Sequence, residues 1–305
     1  MVRNILTLDV GGTFIKHAVM SGTRSFKITK QGKTPTPRDN HENFLNELAE
    51  IFKVHDDVEG IAVSMPGLID TFKGVCISSG ALNYSNGHCL AEELQNMCGV
   101  PVTVENDANC AALAEVKSGC LTDVKNAFVL VFGTSIGGAF ICNREIYRGA
   151  HFCAGEIAPT FQNIGEAADE KNTYHHALSA VEFQKHCAEI LNMPPEDVTG
   201  EMIFDLIEEN DDDMLDALYR YAHGVAIKIF NLQMLFDPEK FALGGGISAR
   251  QSFIDAVQDK LDEICAASLD YLPRPQIVAC KYRNDANLFG ALYRFLLSFA
   301  APKRK

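Results

Sequence analysis

Two glycine turns, one near the N-terminus and one about halfway along the chain, constrain the fold more than any other feature. The first is Asp9-Val-Gly-Gly-Thr-Phe-Ile-Lys16, and the second is Phe132-Gly-Thr-Ser-Ile-Gly-Gly138. Each joins two apolar runs that we predict to be strands. Glycine lets a backbone turn tightly and approach a ligand closely, and the N–H groups exposed in such a turn can hold phosphate oxygens.

One such turn on its own is ambiguous. Strand-Gly-Gly-strand is also the pattern of an ordinary hairpin, in which Asp9 would satisfy turn backbone and Lys16 would be a solvated charge. Neither turn has the spacing of a P-loop or of a dinucleotide-binding turn. The recurrence of the same turn in both halves of the chain is what favours phosphate binding.

A polar motif, Glu105-Asn-Asp107-Ala-Asn109, lies between the two turns, at the junction of a predicted strand (102–104) and a predicted helix (108–116). A side chain at such a junction can project into a cleft. Phosphoryl transfer to an alcohol needs a group that accepts the hydroxyl proton, and Asp107 is the candidate. The local residues alone also fit, and favour, a helix N-cap at Asp107.

The composition limits size, partners and location. A chain of 305 residues is long enough for two domains, and its net charge of −13 disfavours a broad basic surface for nucleic acid. We interpret the basic end, Pro302–Lys305, as a solvated tail. Ten cysteines without a CxxC pair argue against a zinc knuckle and a disulfide framework. Since no apolar stretch is long enough to span a bilayer and no secretory segment follows Met1, we expect a cytoplasmic protein.

The apolar pattern predicts strands alternating with helices. Strands are expected at 4–10, 14–20, 24–29, 60–64, 102–104, 127–132 and 241–243, and helices from residue 40 and at 108–116, 179–191, 202–208, 212–235, 251–268 and 287–298.

Four motifs, in their order and spacing, resemble those of the ROK family. They are Asp9-x-Gly-Gly-Thr-x-x-Lys16, Glu105-Asn-Asp-Ala-Asn109, Gly133-Thr-x-x-Gly-Gly138 and Leu243-Gly-Gly-Gly-Ile-Ser248. The family comprises sugar kinases, related repressors and uncharacterised reading frames, and the resemblance covers essentially the whole chain. It implies the α/β class and the actin-like ATPase (ribonuclease H-like) fold, in which two α/β domains flank a nucleotide cleft. We place the first domain at 1–118 plus 287–305 and the second at 119–286.

For the nucleotide, the resemblance implies ATP with Mg²⁺. The residues that it assigns to the nucleotide are Asp9, Gly11, Gly12, Thr13, Lys16, Thr134, Gly137, Gly138, Gly244, Gly245 and Gly246. Asp9 would approach the magnesium through water. Two alternatives stay open, because Lys16 would either assist with phosphate or pair with an acid, and the run Gly244–Gly246 also fits a plain strand-to-helix turn.

For the acceptor, the resemblance implies an ATP-dependent carbohydrate kinase that phosphorylates a hexose or β-glucoside at the 6-hydroxyl. Asp107 is then the general base, because the matching aspartate of these kinases has that role. The residues placed around the sugar are Gly67, Ser79, Asn83, Asn106 and Glu156. Glu156 also fits a simple surface acid.

The chain departs from the family pattern after Glu156. Zinc-containing members carry Glu-x-Gly-His followed by Cys-x-Cys-Gly-x-x-Gly-Cys, whereas here Pro159 replaces the histidine and residues 160–172 contain no cysteine. We therefore expect no structural zinc site. The change resembles β-glucoside kinases within the family and would leave room for a glycosylated sugar.

Two further predictions concern the end of this segment. Asn172 stands where the family pattern has a further glutamate, so that the pocket would lack one acid. The adjacent His175 and His176 cannot easily face one ion from a regular element, and we interpret them as a solvated pair.

The main alternative function is that of a non-catalytic sugar-sensing regulatory protein of the same fold. Family repressors add an N-terminal helix-turn-helix module, for which the position of Asp9 leaves no room. A sensor also has no need of Asp107 and two phosphate turns, and an ATPase acting on a protein client is a more distant third. The expected partners are a small sugar, ATP and a second copy of the chain, without nucleic acid or membrane.

Overall fold

The computed structural model describes residues 3–23, 25–55, 57–163 and 165–299. Its strands are β1 (Arg3–Val10), β2 (Phe14–Gly22), β3 (Phe26–Pro35), β4 (Ile61–Met65), β5 (Leu68–Asp70), β6 (Val75–Ser78), β7 (Val102–Asn106), β8 (Ala127–Phe132), β9 (Ile136–Cys142), β10 (Glu145–Ile146), β11 (Lys240–Gly245) and β12 (Ile277–Ala279). Its α-helices are α1 (His41–Lys53), α2 (Leu90–Cys98), α3 (Asp107–Ser118), α4 (Tyr174–Leu178), α5 (Ala180–Ile190), α6 (Gly200–Glu208), α7 (Asp212–Phe236), α8 (Gln251–Ala266) and α9 (Ala286–Ser298). Short 3₁₀ helices include Gly80–Ser85 and Gly246–Ala249.

The chain divides into two compact units. The first comprises Met1–Lys117, Arg148–Cys153 and Asp285–Lys305, and the second comprises Ser118–Tyr147 and Ala154–Asn284. The domain limits 1–118 plus 287–305 and 119–286 remain a prediction. The compact units differ from them chiefly in Arg148–Cys153, which belongs to the first unit because Arg148 pairs there with the buried carboxylate of Glu105.

The first unit contains a five-stranded sheet in the order β3-β2-β1-β4-β7. Strands β1, β2 and β3 are antiparallel neighbours, whereas β1, β4 and β7 run parallel, so the carboxyl ends of these three meet at one edge. Asp9 lies opposite Lys16 in the hairpin and beside Ser64 of β4. That edge therefore collects the first glycine turn and the motif around Asp107.

Helices cover both faces of this sheet. Phe44 of α1 packs in one apolar cluster with Leu8 of β1, and Phe295 of α9 belongs to the cluster on the opposite face. Helix α9 also approaches α3 closely at Gly290, where an added Cβ would lie 1.8 Å from the carbonyl oxygen of Cys110. The polar edge thus rests on a support that is packed on both sides, as rigid placement of reactive groups requires.

The second unit repeats this plan with the order β10-β9-β8-β11-β12. Strands β8 and β9 form an antiparallel hairpin, and β8, β11 and β12 run parallel. The core is dominated by buried aromatic rings, among them Phe128, Phe132, Phe241 and Phe253. As in the first unit, a glycine turn follows a strand, here β8, that pairs antiparallel with the next strand and parallel with another.

Most predicted elements form, with shifts at their ends. The strand predicted at 24–29 is longer in the structure, since β3 continues to Pro35, while Arg24 lies outside the described residues. The hairpin β5–β6 and the helices α2 and α4 escaped prediction because each is short and of mixed polarity. The tail Pro302–Lys305 also lies outside the described residues.

Among the described residues, no helix combines the length and the apolar character that crossing a membrane requires. No disulfide joins cysteines within the same ranges.

Candidate active site

The first glycine turn connects β1 to β2. It is closed by a hydrogen bond from the Gly11 N–H to the Phe14 carbonyl (3.0 Å). Thr36 fixes it from outside, since its hydroxyl donates to the Gly11 carbonyl (2.7 Å) and its N–H to the Thr13 carbonyl (3.0 Å). These bonds use carbonyl oxygens, and no bond within the described residues engages the N–H groups of Gly12 and Thr13. Those two N–H groups can therefore serve a bound anion.

Arg38, like Thr36, holds this turn by hydrogen bonds, and its role was not predicted from the sequence. Its Nε donates to the Gly12 carbonyl (3.0 Å) and its Nη2 to the Thr13 hydroxyl (3.1 Å). The side chain is exposed, so its charge faces solvent beside the predicted phosphate turn. No local pattern could have found it, because Arg38 lies in the irregular connection between β3 and α1.

Asp9 lies at the end of β1, mostly buried. Its Oδ1 accepts a hydrogen bond from Asn287 Nδ2 of α9 (2.9 Å), and Lys16 Nζ lies 3.7 Å from Oδ2. Burial raises the pKa of Asp9 above its ordinary value, and the Asn287 hydrogen bond and the Lys16 charge oppose that rise. Of the two interpretations of Lys16, the structure favours pairing with an acid, and that acid is its cross-strand neighbour.

Helix α3 begins at Asp107, directly after β7. Its capping side chain is that of Asn106, whose Oδ1 accepts the backbone N–H of Asn109 (2.9 Å), as an N-cap residue does. The N-cap interpretation of Asp107 is therefore wrong. The Asp107 carboxylate instead accepts the Ala108 N–H (2.8 Å) and the Asn106 amide (3.1 Å), both at Oδ1.

The environment of Asp107 disfavours its charged form. Burial raises the pKa of Asp107 to about 6, the negative charge of Asp9 adds to the rise, and the Ala108 and Asn106 hydrogen bonds oppose it. A carboxyl with this pKa is ionised at neutral pH and is a stronger base than an ordinary aspartate. Perturbed carboxylates of this kind cluster at functional sites.

Glu105 organises the junction between β7 and α3 from beneath. Its Oε1 accepts from Asn109 Nδ2 (3.0 Å) and from the Asn106 N–H (3.1 Å), and its Oε2 accepts from Arg148 Nη2 (2.5 Å) and Thr71 Oγ1 (3.2 Å). The side chain is 1% exposed, so this set of partners is what makes its burial tolerable. This supporting role of Glu105 was not predicted from the sequence, although the residue belongs to the Glu105–Asn109 motif.

The predicted sugar residues of the first unit fall into two groups. Gly67, Ser79 and Asn106 lie together: the Gly67 carbonyl accepts the Asn106 amide (2.9 Å), and a Cβ on Gly67 would lie 2.9 Å from the Ser79 Cα. Gly67 has φ +94°, which favours glycine. The hydroxyl of Ser79 is fully buried and has no hydrogen-bond partner within the described residues. Asn83 is exposed, on the 3₁₀ helix that follows.

The second glycine turn differs from its prediction. Strand β9 begins at Ile136, so Gly137 and Gly138 lie inside the strand and only Gly133 to Ser135 form the turn. Gly138 is a close-packing position, because an added Cβ would lie 2.3 Å from the carbonyl oxygen of Gly155. Thr134 is exposed at the tip. The structure thus places Thr134 in the turn, while Gly138 packs against the segment that leads into Glu156.

The third glycine run lies beside the second turn. Gly244 and Gly245 end β11 and pair with Val131 and Phe132 of β8, and Gly246 begins a 3₁₀ helix. Gly245 has φ +90°, and an added Cβ would lie 2.0 Å from the Phe132 carbonyl oxygen. The strand-to-helix turn is therefore real, and it brings this run to the carboxyl-end edge of the second sheet.

A cavity of about 440 Å³ opens within the second unit, two residues after Glu156. Its walls are Ala158, Pro159, Phe161, Ala168, Asp169, Thr173 and His175. His175 Nδ1 lies 2.7 Å from the Ser135 hydroxyl, so the interpretation of His175 and His176 as a solvated pair is wrong for His175. The lining combines an exposed aromatic face with a few polar groups, as sugar-sized ligand sites do.

Asn172 supports the loop. Its Nδ2 donates to the carbonyls of Asn163 (2.9 Å) and Ala167 (3.1 Å), and its Oδ1 accepts the Asn163 N–H (3.0 Å). The side chain is buried, and these bonds use both ends of its amide. Asn172 therefore fixes the loop that lines the cavity without lining the cavity itself.

Lys228 of α7 also holds this loop. Its Nζ donates to the Thr160 hydroxyl (2.7 Å) and lies 4.1 Å from the centre of the Tyr174 ring. Burial lowers the pKa of Lys228 to about 8. The sequence contained a signal for this buried lysine. Lys228 follows Val225 by three residues and precedes Leu232 by four, so it lies within the apolar stripe of a predicted helix.

Known proteins resemble this chain in sequence and in structure. The model of the ROK family matches residues 5–296. A β-glucoside kinase of Klebsiella pneumoniae is 30% identical over 299 residues, covering 98% of each chain. The crystal structure of a ROK family protein from Streptococcus pneumoniae in complex with sucrose is 32% identical, with a TM-score of 0.85 over 97% of this chain and 98% of that one.

This chain belongs to the ROK family. A ROK glucokinase from Streptomyces griseus, solved with glucose and AMPPNP, is 21% identical with a TM-score of 0.82 over 94% of this chain and 97% of that one, and so shares the fold. The predicted fold class, an α/β protein with the actin-like ATPase fold, is confirmed. The motifs that carry the resemblance lie in both units: the first glycine turn and Glu105–Asn109 in the first unit, and the second turn and the run Gly244–Gly246 in the second.

Proposed function

We propose that this ROK protein transfers the γ-phosphoryl group of ATP to the 6-hydroxyl of a hexose or β-glucoside, with Asp107 as general base. The predicted class, an ATP-dependent carbohydrate kinase, is confirmed by relatives such as the β-glucoside kinase. The acceptor, the position phosphorylated and the roles of individual residues are parts of the proposal.

The observation that carries the proposal is the state of Asp107. Asn106 caps helix α3, and the carboxylate is buried enough to raise its pKa to about 6. In the proposed step, this carboxylate accepts the sugar hydroxyl proton while the hydroxyl oxygen bonds to the γ-phosphorus. The bond from the γ-phosphorus to the bridging oxygen breaks, and ADP leaves.

The first glycine turn supports phosphate binding. Thr36 and Arg38 bond to carbonyls of the turn, and no hydrogen bond within the described residues engages the N–H groups of Gly12 and Thr13. Backbone N–H groups held in this way bind phosphate oxygens without having to be ordered first. In the second unit Thr134 and the run Gly244–Gly246 are the proposed counterparts.

Magnesium carried by ATP fits the residues at this turn. The carboxylate of Asp9 is mostly buried, and its pKa is raised even though the Lys16 ammonium lies 3.7 Å away, so this ion pair compensates only part of the cost of burial. A hydrated cation nearby would therefore offset the unfavourable burial of the carboxylate. We propose that Asp9 holds the ion through water, since Mg²⁺ keeps several waters when it is bound to phosphates.

The cavity that Ala158 and Pro159 line, shortly after Glu156 in the sequence, supports an acceptor larger than one pyranose ring. It begins at Ala158, and its volume of about 440 Å³ is on the scale of a small ligand. The structure of the Streptococcus pneumoniae relative holds a disaccharide, sucrose. We propose that Glu156 binds a sugar hydroxyl, and that no structural zinc shapes the following loop, which Asn172 and Lys228 hold instead. A homodimer and a cytoplasmic location complete the proposal.

The test is an ATP-turnover assay with Mg²⁺ across glucose, N-acetylglucosamine, cellobiose and aryl β-glucosides. The expected product is a 6-phosphate, in which phosphorus couples to the two protons of a CH₂ group in the NMR spectrum. A C1 phosphate would contradict the position of transfer. ATP turnover that no sugar stimulates would overturn the kinase, and sugar binding without turnover would favour the regulatory alternative.

A further inference from the structure

Two histidines and a glutamate of the first unit, none of which has a role in the proposed reaction, converge on one another. His41 begins α1, His88 lies in the turn before α2, and Glu93 is in the first turns of α2. His41 Nε2 lies 2.6 Å from Glu93 Oε2, and His88 Nδ1 lies 3.1 Å from Glu93 Oε1. One nitrogen of each ring and the carboxylate therefore face one another.

The three potential ligand atoms all lie within 4.8 Å of one another. In the structure, a proton must occupy each nitrogen–oxygen contact, because a bare imidazole nitrogen and a carboxylate oxygen both carry lone pairs. A divalent cation would replace those protons. Imidazole and carboxylate together suit zinc, cobalt and nickel, whereas a magnesium or calcium site would consist of oxygen ligands.

A buried hydroxyl orients the inner histidine. His41 Nδ1 lies 3.0 Å from the hydroxyl of Ser85, and both residues are buried. Metal-bound histidines usually donate their second N–H to such a partner, which fixes the tautomer that presents the other nitrogen to the ion. The Ser85 hydroxyl can accept the N–H of His41 Nδ1, and in that tautomer the lone pair on Nε2 is available to an ion.

We propose that His41, His88 and Glu93 form an exchangeable site for a divalent transition metal such as zinc. The ion would join the start of α1 to α2, and water would complete a tetrahedral set, as in three-ligand sites with an open position. In the structure the two histidine rings stack, with centres 3.7 Å apart and planes inclined by 22°. One ion can reach both nitrogens only if a ring turns, and the ring of His88, whose side chain is 43% exposed, is free to do so.

The experiment titrates Co²⁺, with Zn²⁺ as competitor, into the full chain after chelator treatment and removal of the chelator. The expected result is one saturable Co²⁺ per chain, with the absorption spectrum of a tetrahedral complex, and a higher Tm at about 100 times the Kd. His88→Ala and Glu93→Gln should each weaken binding by at least about tenfold. Glu93→Gln keeps the shape of the side chain, so a loss there cannot be attributed to a cavity.

The matched control is His186→Ala, because His186 and Glu189 form an exposed histidine–glutamate pair (3.9 Å) on α5. This variant should bind Co²⁺ like the wild type. Absence of saturable binding in the wild type, or equal binding in all four proteins, would show that the cluster is held by hydrogen bonds alone. The readouts do not involve sugar or ATP, so the result is independent of the proposed kinase activity.

Discussion

The Asp107 carboxylate is ionised at pH 7 although its burial disfavours the charged form. Its pKa is raised from 3.8 to about 6, with burial as the largest cause. Between these two values the folded protein binds more protons at this group than the unfolded chain does. The contribution of Asp107 to the free energy of unfolding is therefore greatest below pH 4 and is lost as the pH rises through 6.

Replacement of Asp107 by asparagine should separate activity from stability. We expect Asp107→Asn to lower kcat by at least about 10²-fold, because it removes the proton acceptor. At pH 7 it should raise the free energy of unfolding by up to about 3 kcal/mol, the equivalent of two pKa units. Urea unfolding should show this gap closing as the pH falls from 6 to 4. Turnover near that of the wild type would refute the assignment of the base, and Asp123→Asn, which alters an exposed acid, serves as the control.

The raised pKa also predicts the pH dependence of the wild type. We expect kcat/KM to fall by about tenfold per pH unit below pH 6, because protonated Asp107 cannot accept the hydroxyl proton. The profile is measured at saturating magnesium with one sugar. An activity that stays level down to pH 5 would mean that another group takes the proton, and any residual activity of Asp107→Asn should lack this acid limb.

At the scale of elements, the first glycine turn depends on side chains from outside the hairpin. Thr36 and Arg38 come from the connection between β3 and α1, and they bond to the carbonyls of Gly11 and Gly12. The loop after Glu156 is similarly held by Lys228 of α7 through Thr160. In both cases a segment that carries predicted ligand groups is positioned by another element.

Arg38→Met should raise the KM for ATP by about fivefold while the KM for the sugar changes little. This figure corresponds to about 1 kcal/mol, a modest value chosen because the guanidinium is exposed and screened by solvent. Lys30→Ala is a suitable control, since Lys30 is an exposed cation of β3 that faces Asp57 at 3.9 Å. Equal KM values for ATP in Arg38→Met and the wild type would remove Arg38 from the nucleotide site.

The cysteine-free loop leads to a prediction about zinc. After dialysis against metal-free buffer, His88→Ala should contain far less than one zinc per chain by elemental analysis. That variant lacks the proposed exchangeable site, so any remaining zinc would have to be bound elsewhere. One zinc per chain that survives dialysis would reveal a tight zinc site elsewhere. It would lie either in the segment after Glu156 or at Glu115, Cys120 and Cys280, whose potential ligand atoms lie within 4.8 Å of one another.

At the scale of the whole molecule, the proposed reaction draws on groups from both units. Of the residues with proposed roles, Asp107 and the first glycine turn belong to the first unit, whereas Thr134, Glu156 and the run Gly244–Gly246 belong to the second. Neither set contains everything that the proposed transfer needs. The proposed transfer therefore needs ATP and the sugar to be bound and oriented at the same time.

ATP hydrolysis by the full chain should therefore be slow without sugar and rise strongly when the correct acceptor is added. ADP release is followed in a coupled assay, first with ATP and Mg²⁺ alone and then with each sugar. A sugar that binds but lacks the 6-hydroxyl is the matched control, and it should not yield a sugar phosphate. Fast hydrolysis in the absence of any sugar would contradict the proposal.

The sequence by itself determined the features that depend on near neighbours. The first glycine turn, the strands on either side of it and the start of α3 follow from residues a few positions apart, and the four motifs together indicated the family. The hairpin partners Asp9 and Lys16 are also local, since the turn sets the register that places them opposite each other.

Only the tertiary structure decided which distant groups meet. Asn287 reaches Asp9 across 278 positions, Lys228 reaches Thr160 across 68, and Arg148 reaches Glu105 across 43. It also decided that Gly138 packs against Gly155. Such contacts arise from the packing of whole helices and sheets, which no local pattern specifies, and the burial they produce is what raises the pKa of Asp107.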